Sequence, residues 1–256
     1  MSQQANGYVN VGNRSAVVIG GTSGIGRAIA LAFAEDGADV VATSRHEDRV
    51  AETAAELREL GAATTEVTCD VRDDDSIERL YDAAEEAMGE VDVLVNSAGA
   101  VARAAVSEMT DEQWETDIDV GLTGVFRACR EFGRRMDEGA IVNISSMSAG
   151  QAREDRPAYC AAKSGVNGLT RAASADLAPE IRVNAIEPGF VKTPMAAGAF
   201  DEGTEIRETI DERTPMERVA TPDEIAGAAV YLASEAASFT TGEMIKVDGA
   251  YDDSAF

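Results

Sequence analysis

Apolar and polar positions along this chain follow two periods. Short runs that are apolar on both faces recur, among them AVVI at 16–19, VLV at 93–95 and AIVNI at 140–144. Between them lie longer stretches with apolar residues three and four apart. The short runs predict buried strands and the long stretches amphipathic helices. Taken in order, the predicted strands are SAVVIG, DVVAT, TTEVTCDV, VDVLVNSAG, GAIVNIS, IRVNAIEPG and TGEMIKVDG. The predicted helices include RAIALAFAEDG, AETAAELREL ended by Gly61, SIERLYDAAEEAMG and TPDEIAGAAVYLAS with its threonine cap. DEQWETDIDVGLTGVFRACREFGRRM predicts a long helix broken at Gly121 and Gly124. Seven strands alternating with helices predict an α/β fold: one domain over residues 1–256 with a doubly wound, parallel, seven-stranded sheet. Residues 1–13 form a polar start, and the irregular segment 190–217 is expected to be a substrate loop or lid.

Chemistry first enters at two places. The first strand runs into GGTSGIG and then a helix. Gly20, Gly24 and Gly26 allow a tight turn against a pyrophosphate, and the helix behind them presents free N–H groups and a positive dipole end. A glycine turn without a ligand is the bland alternative. The second strand ends at Ser44 and Arg45, where an acidic residue would bind the ribose hydroxyls of NAD. A guanidinium there pairs instead with a 2′-phosphate, so NADP(H) is favoured and NAD(H) stays open. His46, the single histidine, reads as a loop residue.

The second place is SSMSAGQAREDRPAYCAAK at 145–163. Tyr159 and Lys163 are four apart, which on a helix sets both on one face. A free phenol ionises near pH ~10 and is a poor base at neutrality. An ammonium close by favours the phenolate, so the pair is suited to proton transfer. Ser146 falls where the preceding strand ends and can meet Tyr159 at one crevice. Gly165 and Gly168 weaken the helix expected there. A core tyrosine beside a surface lysine is the bland reading of the same residues.

These motifs occur in one order: GGTSGIG, CDV, NSAG, a serine, YCAAK, NAIEPG and VDG. In that order the chain resembles the short-chain dehydrogenase/reductase family from about Ser15 to Asp248. The resemblance implies an NAD(P)-dependent oxidoreductase acting on an alcohol or carbonyl compound. It casts Tyr159 as the acid/base, Lys163 as its helper and ribose ligand, and Ser146 as the hydroxyl that holds the substrate oxygen, with Ser148 as the fallback. The cofactor turn becomes Gly20, Ser23, Gly24, Ile25 and Gly26, with Asp70 and Val71 at the adenine. Asn96 and Gly99 line the cleft, and Pro188, Gly189, Val191 and Thr193 meet the nicotinamide amide. Family members are commonly tetramers through helices such as 112–136 and 159–177, so a homotetramer or homodimer is expected.

Three positions depart from the family's pattern. Ile19 replaces a threonine that ties the glycine turn to a neighbouring strand, and Ser97 replaces an asparagine. Gly121 stands where a fourth catalytic residue, an asparagine, is usual. Glycine keeps the carbonyl and adds backbone freedom, which predicts slower turnover, not loss. Sugar-acid and polyol dehydrogenases are most similar in feel, with 3-oxoacyl thioester reductases close behind. A non-catalytic nucleotide-binding regulatory protein is the rival of another class. Sugar-nucleotide epimerases carry a longer C-terminal domain. Lys192, Arg207 and Arg213 are the candidates for binding a substrate carboxylate.

Composition narrows the partners. The 256 residues carry 22 basic and 47 acidic side chains, a net charge of −25. That balance argues against nucleic acid and anionic membranes. Cys69, Cys129 and Cys160 have no metal-like spacing and read as core residues of a reducing compartment. No apolar run approaches a membrane span and no basic residue precedes Arg14, so no secretory signal is expected and a cytoplasmic protein is. The acidity is spread along the chain, as in a halophile's proteins, and repels itself at low ionic strength. At ~1 M salt, where the Debye length is about 3 Å, that repulsion is screened. The melting temperature is therefore expected to climb as KCl is raised, and a melt indifferent to salt contradicts this reading of the surface.

Overall fold

A computed structural model of the chain describes residues 9–196 and 198–252. Residues 1–8 of the polar start and 253–256 lie outside them. Strand β1 (Ser15–Ile19) leads through the glycine turn into α1 (Gly24–Glu35), followed by β2 (Asp39–Thr43), α2 (Glu47–Glu59), α3 (Asp74–Met88) and β3 (Val93–Asn96). Then come α4 (Asp111–Ile118), α5 (Gly124–Arg135), β4 (Gly139–Ile144), α6 (Pro157–Asp176) and β5 (Ile181–Pro188). Helices α7 (Glu205–Arg213) and α8 (Pro222–Ala233) precede β6 (Met244–Val247).

The strands form one parallel sheet in the order β2-β1-β3-β4-β5-β6. Alternation along each strand divides the core between two faces. Ala16, Val18, Val40 and Val95 pack with Ile29 and Phe33 of α1 and Ile225 of α8. Val17, Ile19, Val41 and Leu94 pack with Leu80 of α3, Phe132 of α5 and Val166 of α6. Strands covered on both faces explain the unbroken apolar runs in the sequence.

The sheet has six strands among the described residues, not the seven expected. TTEVTCDV runs beside β2 without pairing as a ladder. Val40 donates to the Ala63 carbonyl (3.1 Å) and Cys69 to that of Ser44 (3.0 Å), but between them the Thr43 hydroxyl takes the Val67 carbonyl (2.5 Å). A side chain thus intercepts the backbone bonding at a polar edge, where Thr64 and Thr65 are half-buried and Glu66 and Thr68 exposed.

The long helix also differs from expectation. It is not broken at its glycines: α4 passes through a π-helical turn, Asp119–Thr123, into α5. The glycines serve close packing. A Cβ at Gly124 would lie 2.6 Å from Val71 Cγ2, and one at Gly165 of α6 would lie 2.7 Å from Leu122 Cδ2. Helix α6 runs unbroken through Gly165 and Gly168. The Thr221 cap of α8 is a reciprocal capping box with Glu224. Cys69, Cys129 and Cys160 are free thiols, the first two buried and the third half-buried.

The glycine turn leaves no room for a side chain. A Cβ on Gly26 would sit 2.2 Å from the Gly20 carbonyl oxygen, whereas one on Gly99 meets nothing within 4 Å. Gly26→Ala is therefore expected to lower the unfolding free energy by about 1–3 kcal/mol in urea titrations, and Gly99→Ala to change it by less than about 0.5 kcal/mol. Equal effects at the two positions would contradict this packing.

Candidate active site

The chain leaves β1 toward β2 on one side, while β3 pairs on the other. Neighbouring crossovers diverge at that point and open a crevice beyond the carboxyl ends of the strands. A cleft of about 620 Å³ lies there, bounded by the glycine turn, the ends of β3 and β4, the start of α6 and the segment after β5.

At the floor, Gly20 (φ 79°) and Gly24 (φ 52°) take backbone conformations that side chains resist. Ile19 removes a side-chain bond, yet the turn is tied by its backbone. Gly20 and Gly21 donate to the Thr43 carbonyl (2.9 and 3.1 Å), and Ser97 donates to the Ile19 carbonyl (2.8 Å). Helix α1 has no acidic residue in its first turn, and Ser23 at its N-cap makes no capping bond with its side chain. That end keeps its free N–H groups and fits a phosphate. Ser23, Gly24 and Ile25 line the cleft with Gly20; Gly26 lies behind it, against the Gly20 carbonyl.

One end of the cleft is built from Ser44, Arg45, His46, Arg49, Asp70 and Val71. Arg72 clamps the Asp70 carboxylate (2.6 to 3.2 Å) and is the main reason its pKa is lowered. Arg45 and Arg49 have no carboxylate within 4 Å among the described residues. Gly99, Pro188, Gly189, Val191 and Thr193 also line the cleft. Asn96 does not, contrary to the sequence expectation. Its register partner in the sheet is Asn143, and its amide donates sideways to the Asn143 oxygen (2.9 Å), while Asn143 donates on to Thr170 (3.0 Å). The amide is therefore held in a buried polar row beneath the crevice.

Ser146, Tyr159 and Lys163 meet in the middle. Ser146 caps the turn after β4, accepting from the Ser148 N–H (3.1 Å), and its hydroxyl lies near enough to the Tyr159 phenol to act on it. Pro157 starts α6 and places Tyr159 in its first turn, with Lys163 one turn on. Burial pushes the phenol pKa up, opposed by the nearby Ser146 hydroxyl and the Arg156 charge. The sequence expectation had Lys163 pulling it down. Instead the ammonium lies 5.7 Å from the phenol ring centroid and donates to the Ile144 carbonyl (2.7 Å). Burial lowers the Lys163 pKa to about 8, and the Asp117 carboxylate opposes that fall.

Asp117 was not foreseen. It is fully buried on α4; Oδ1 accepts from the Ala102 N–H (2.9 Å), and Oδ2 has no partner among the described residues. Burial raises its pKa, and Lys163 is among the groups that lower it. An acid on the inward face of a predicted helix was the available signal. Gly121 lies one helical turn further, where a Cβ would press on that of Ala162 at 3.3 Å. The arginines of the site also differ from expectation. Lys192 pairs with Asp201 (3.8 Å), Arg207 with Asp211 (2.7 Å), and Arg213 lies over the Tyr251 ring (4.9 Å). The cations that line the far end of the cleft are Arg103, Arg153 and Arg156, beside Phe190 and Phe200.

A family model described as enoyl-(acyl carrier protein) reductase matches residues 20–252. The chain is 41% identical to a cis-4-hydroxycyclohexanecarboxylate dehydrogenase of Sinomonas cyclohexanicum, over 93% of this chain and 96% of that one. It is 38% identical to a D-threitol dehydrogenase of Mycolicibacterium smegmatis, over 92% of each. A solved structure from Beutenbergia cavernae, described as a candidate NAD(P)-dependent gluconate 5-dehydrogenase with NADP bound at low occupancy, superposes with a TM-score of 0.89. It is 38% identical and covers 96% of this chain and 99% of that one.

With only three lysines in the chain, reductive methylation with a carbon-13 label gives few side-chain signals to follow by NMR. Lys163 is expected to titrate near pH 8. Asp117→Asn is expected to shift that titration lower, because a neutral amide no longer favours the ammonium. A Lys163 signal titrating above pH ~10, as a free lysine does, would contradict this environment.

Proposed function

Because the chain belongs to the short-chain dehydrogenase/reductase family, we propose that it transfers a hydride reversibly between NADP(H) and the carbon of a secondary alcohol or ketone. The observation that carries this reading is that the Ser146 and Tyr159 hydroxyls and buried Lys163 line one cleft whose floor is the Gly20–Gly26 turn.

In the reducing direction Tyr159 and Ser146 hold the carbonyl oxygen, and Tyr159 gives it the phenolic proton as negative charge develops there. A phenol kept neutral by burial is suited to that step. In the oxidising direction the same oxygen takes the hydroxyl proton back. Lys163 holds its positive charge one turn further along α6, bonded to the Ile144 carbonyl. Asp117 keeps that charge on the amine. When bound, the nicotinamide ring supplies or accepts the hydride. The free N–H groups at the start of α1 and the glycine turn would hold the pyrophosphate, and Lys163 a ribose. Val71 would meet the adenine, with Asp70 shaping that pocket while Arg72 clamps its carboxylate. Pro188, Gly189, Val191 and Thr193 would meet the nicotinamide amide.

Arg45, at the end of β2 with no carboxylate partner among the described residues, favours the 2′-phosphate of NADP(H) over NAD(H). The substrate is a sugar acid or polyol, in keeping with relatives named for a hydroxycyclohexanecarboxylate, threitol and gluconate. Residues 190–217, which reach the cleft through Val191, Thr193 and Phe200, close over it. No helix among the described residues is long and apolar enough to cross a membrane. We take the working form to be a cytoplasmic homo-oligomer in high salt.

A panel of hydroxy acids, polyols and 3-oxoacyl thioesters, run with NADPH, NADH and their oxidised forms in high KCl, tests the proposal. Turnover of acids or polyols is expected, faster with NADP(H). Turnover confined to the thioesters would replace the substrate assignment. Cofactor binding without turnover anywhere on the panel would favour a regulatory protein.

A further inference from the structure

The far end of the cleft carries a concentration of positive charge that the proton transfer does not use. Arg153, Arg156 and Arg103 line it. Arg153 lies over the Phe190 ring (4.6 Å) and near that of Tyr251 (5.7 Å), with Nη2 against the Met147 sulfur (3.1 Å). Its Nε is buried and has no hydrogen-bond partner among the described residues. Arg156 is half-buried at the N-cap of α6, three residues before Tyr159.

None of these three arginines has a carboxylate within 4 Å among the described residues. Arg45, Arg49, Arg134, Arg171 and Arg182 share that condition among the described residues, but Arg103, Arg153 and Arg156 are the three that meet at this end of the cleft. Arg14, Arg27, Arg58, Arg130, Arg135 and Arg218 all hold carboxylates. Asp252 is held by Lys246 and Gln151 and Asp248 by the N–H groups of Ala250 and Asp252, while Glu154 and Asp155, between the two arginines in the chain, are exposed and pair with neither. Other titratable groups facing Arg156 are Tyr159 and Cys160, both neutral in their ordinary forms. Burial, followed by the charges of Arg103 and Arg153, lowers the Arg156 pKa. Arg153 and Arg156 are thus half-buried beside an exposed Arg103, their charges repel one another, and an anion seated among them would offset that repulsion.

We infer that Arg153 and Arg156, with Arg103 at the rim, form a carboxylate subsite, and that the substrate is a hydroxy or oxo acid and not an uncharged polyol. The inference rests on the reading of this cleft as the substrate site. A planar guanidinium fork matches two carboxylate oxygens. The closeness of Arg156 to Tyr159 along the helix sets a short span between the acid group and the reacting carbon. The Phe190 and Phe200 rings, packed edge to face at 5.5 Å, supply an apolar wall for the carbon skeleton.

The test uses the full chain saturated with NADP+. Cyclohexanecarboxylate and cyclohexanecarboxamide, matched in shape and differing in charge, are titrated calorimetrically at physiological salt, with inorganic phosphate as a third arm. The carboxylate is expected to bind at least about 10-fold more tightly than the amide. Arg153→Gln and Arg156→Gln are each expected to erase most of that preference while NADPH affinity and melting temperature hold. Acid and amide behaving alike in the unaltered protein, including no binding of either, would overturn the inference whether or not the variants fold. So would a preference that survives both substitutions, or phosphate binding more tightly than the carboxylate. An acid preference with no turnover of any alcohol would support the subsite and count against hydride transfer. Polyol turnover with no acid preference would do the reverse.

Discussion

The hydrogen bond from Lys163 to the Ile144 carbonyl is the contact on which the site's arrangement depends. A buried ammonium costs several kcal/mol unless it is paired or bonded. The carbonyl at the end of β4 offsets part of that cost, and the Asp117 charge offsets more. The bond joins the end of a strand to the second turn of α6. Tyr159, one turn before Lys163, is thereby aimed at Ser146, two residues after Ile144. A second link runs from Ser145 to Asn167 (2.7 Å) and from Asn167 to the buried Glu187 (2.6 Å), joining α6 to the ends of β4 and β5. Three elements distant in sequence are registered within hydrogen-bond tolerances before any ligand arrives.

Close packing around glycine makes that registry possible. The π-helical turn between α4 and α5 brings Leu122 against Gly165 and Gly121 against Ala162 of the same helix. Larger residues there would push α6 away and carry Tyr159 with it. Insertions of this kind in helices are frequent at functional sites, where they re-aim side chains. Asp117, two residues before the turn, is directed inward with it. Electrostatics divide the molecule in a matching way. The surface is strongly acidic, whereas the two ends of the cleft carry arginines without carboxylate partners among the described residues, Arg45 and Arg49 at one and Arg103, Arg153 and Arg156 at the other. A focused positive cleft in an acidic protein draws in small anions that the rest of the surface repels.

Much of this was legible in the sequence, for physical reasons. Strands buried on both faces leave unbroken apolar runs, and glycines with positive φ or no room for a Cβ cannot be hidden. Gly20, Gly24, Ser146, Tyr159 and Lys163, each singled out by such a pattern, line one cleft. What stayed hidden depended on contacts across the sheet. Nothing local told that the Thr43 hydroxyl would intercept the edge strand, or that Asn96 would pair sideways with Asn143. Spacing of four put Lys163 beside Tyr159 but could not show that its ammonium would turn to a strand carbonyl, leaving burial to set the phenol's pKa. Arg153 and Arg156 sat in plain view between two motifs, yet their lack of carboxylate partners among the described residues is a property of the folded surroundings.

The proposed hydride transfer requires one phenol to move the proton. Removing its oxygen alone, as Tyr159→Phe, tests this directly, with NADPH binding measured by fluorescence and turnover measured on the best substrate. Cofactor affinity is expected to stay at the level of the unaltered protein while kcat falls by at least about 100-fold. A variant that binds the cofactor and still turns over at a rate close to that of the unaltered protein would contradict the claim.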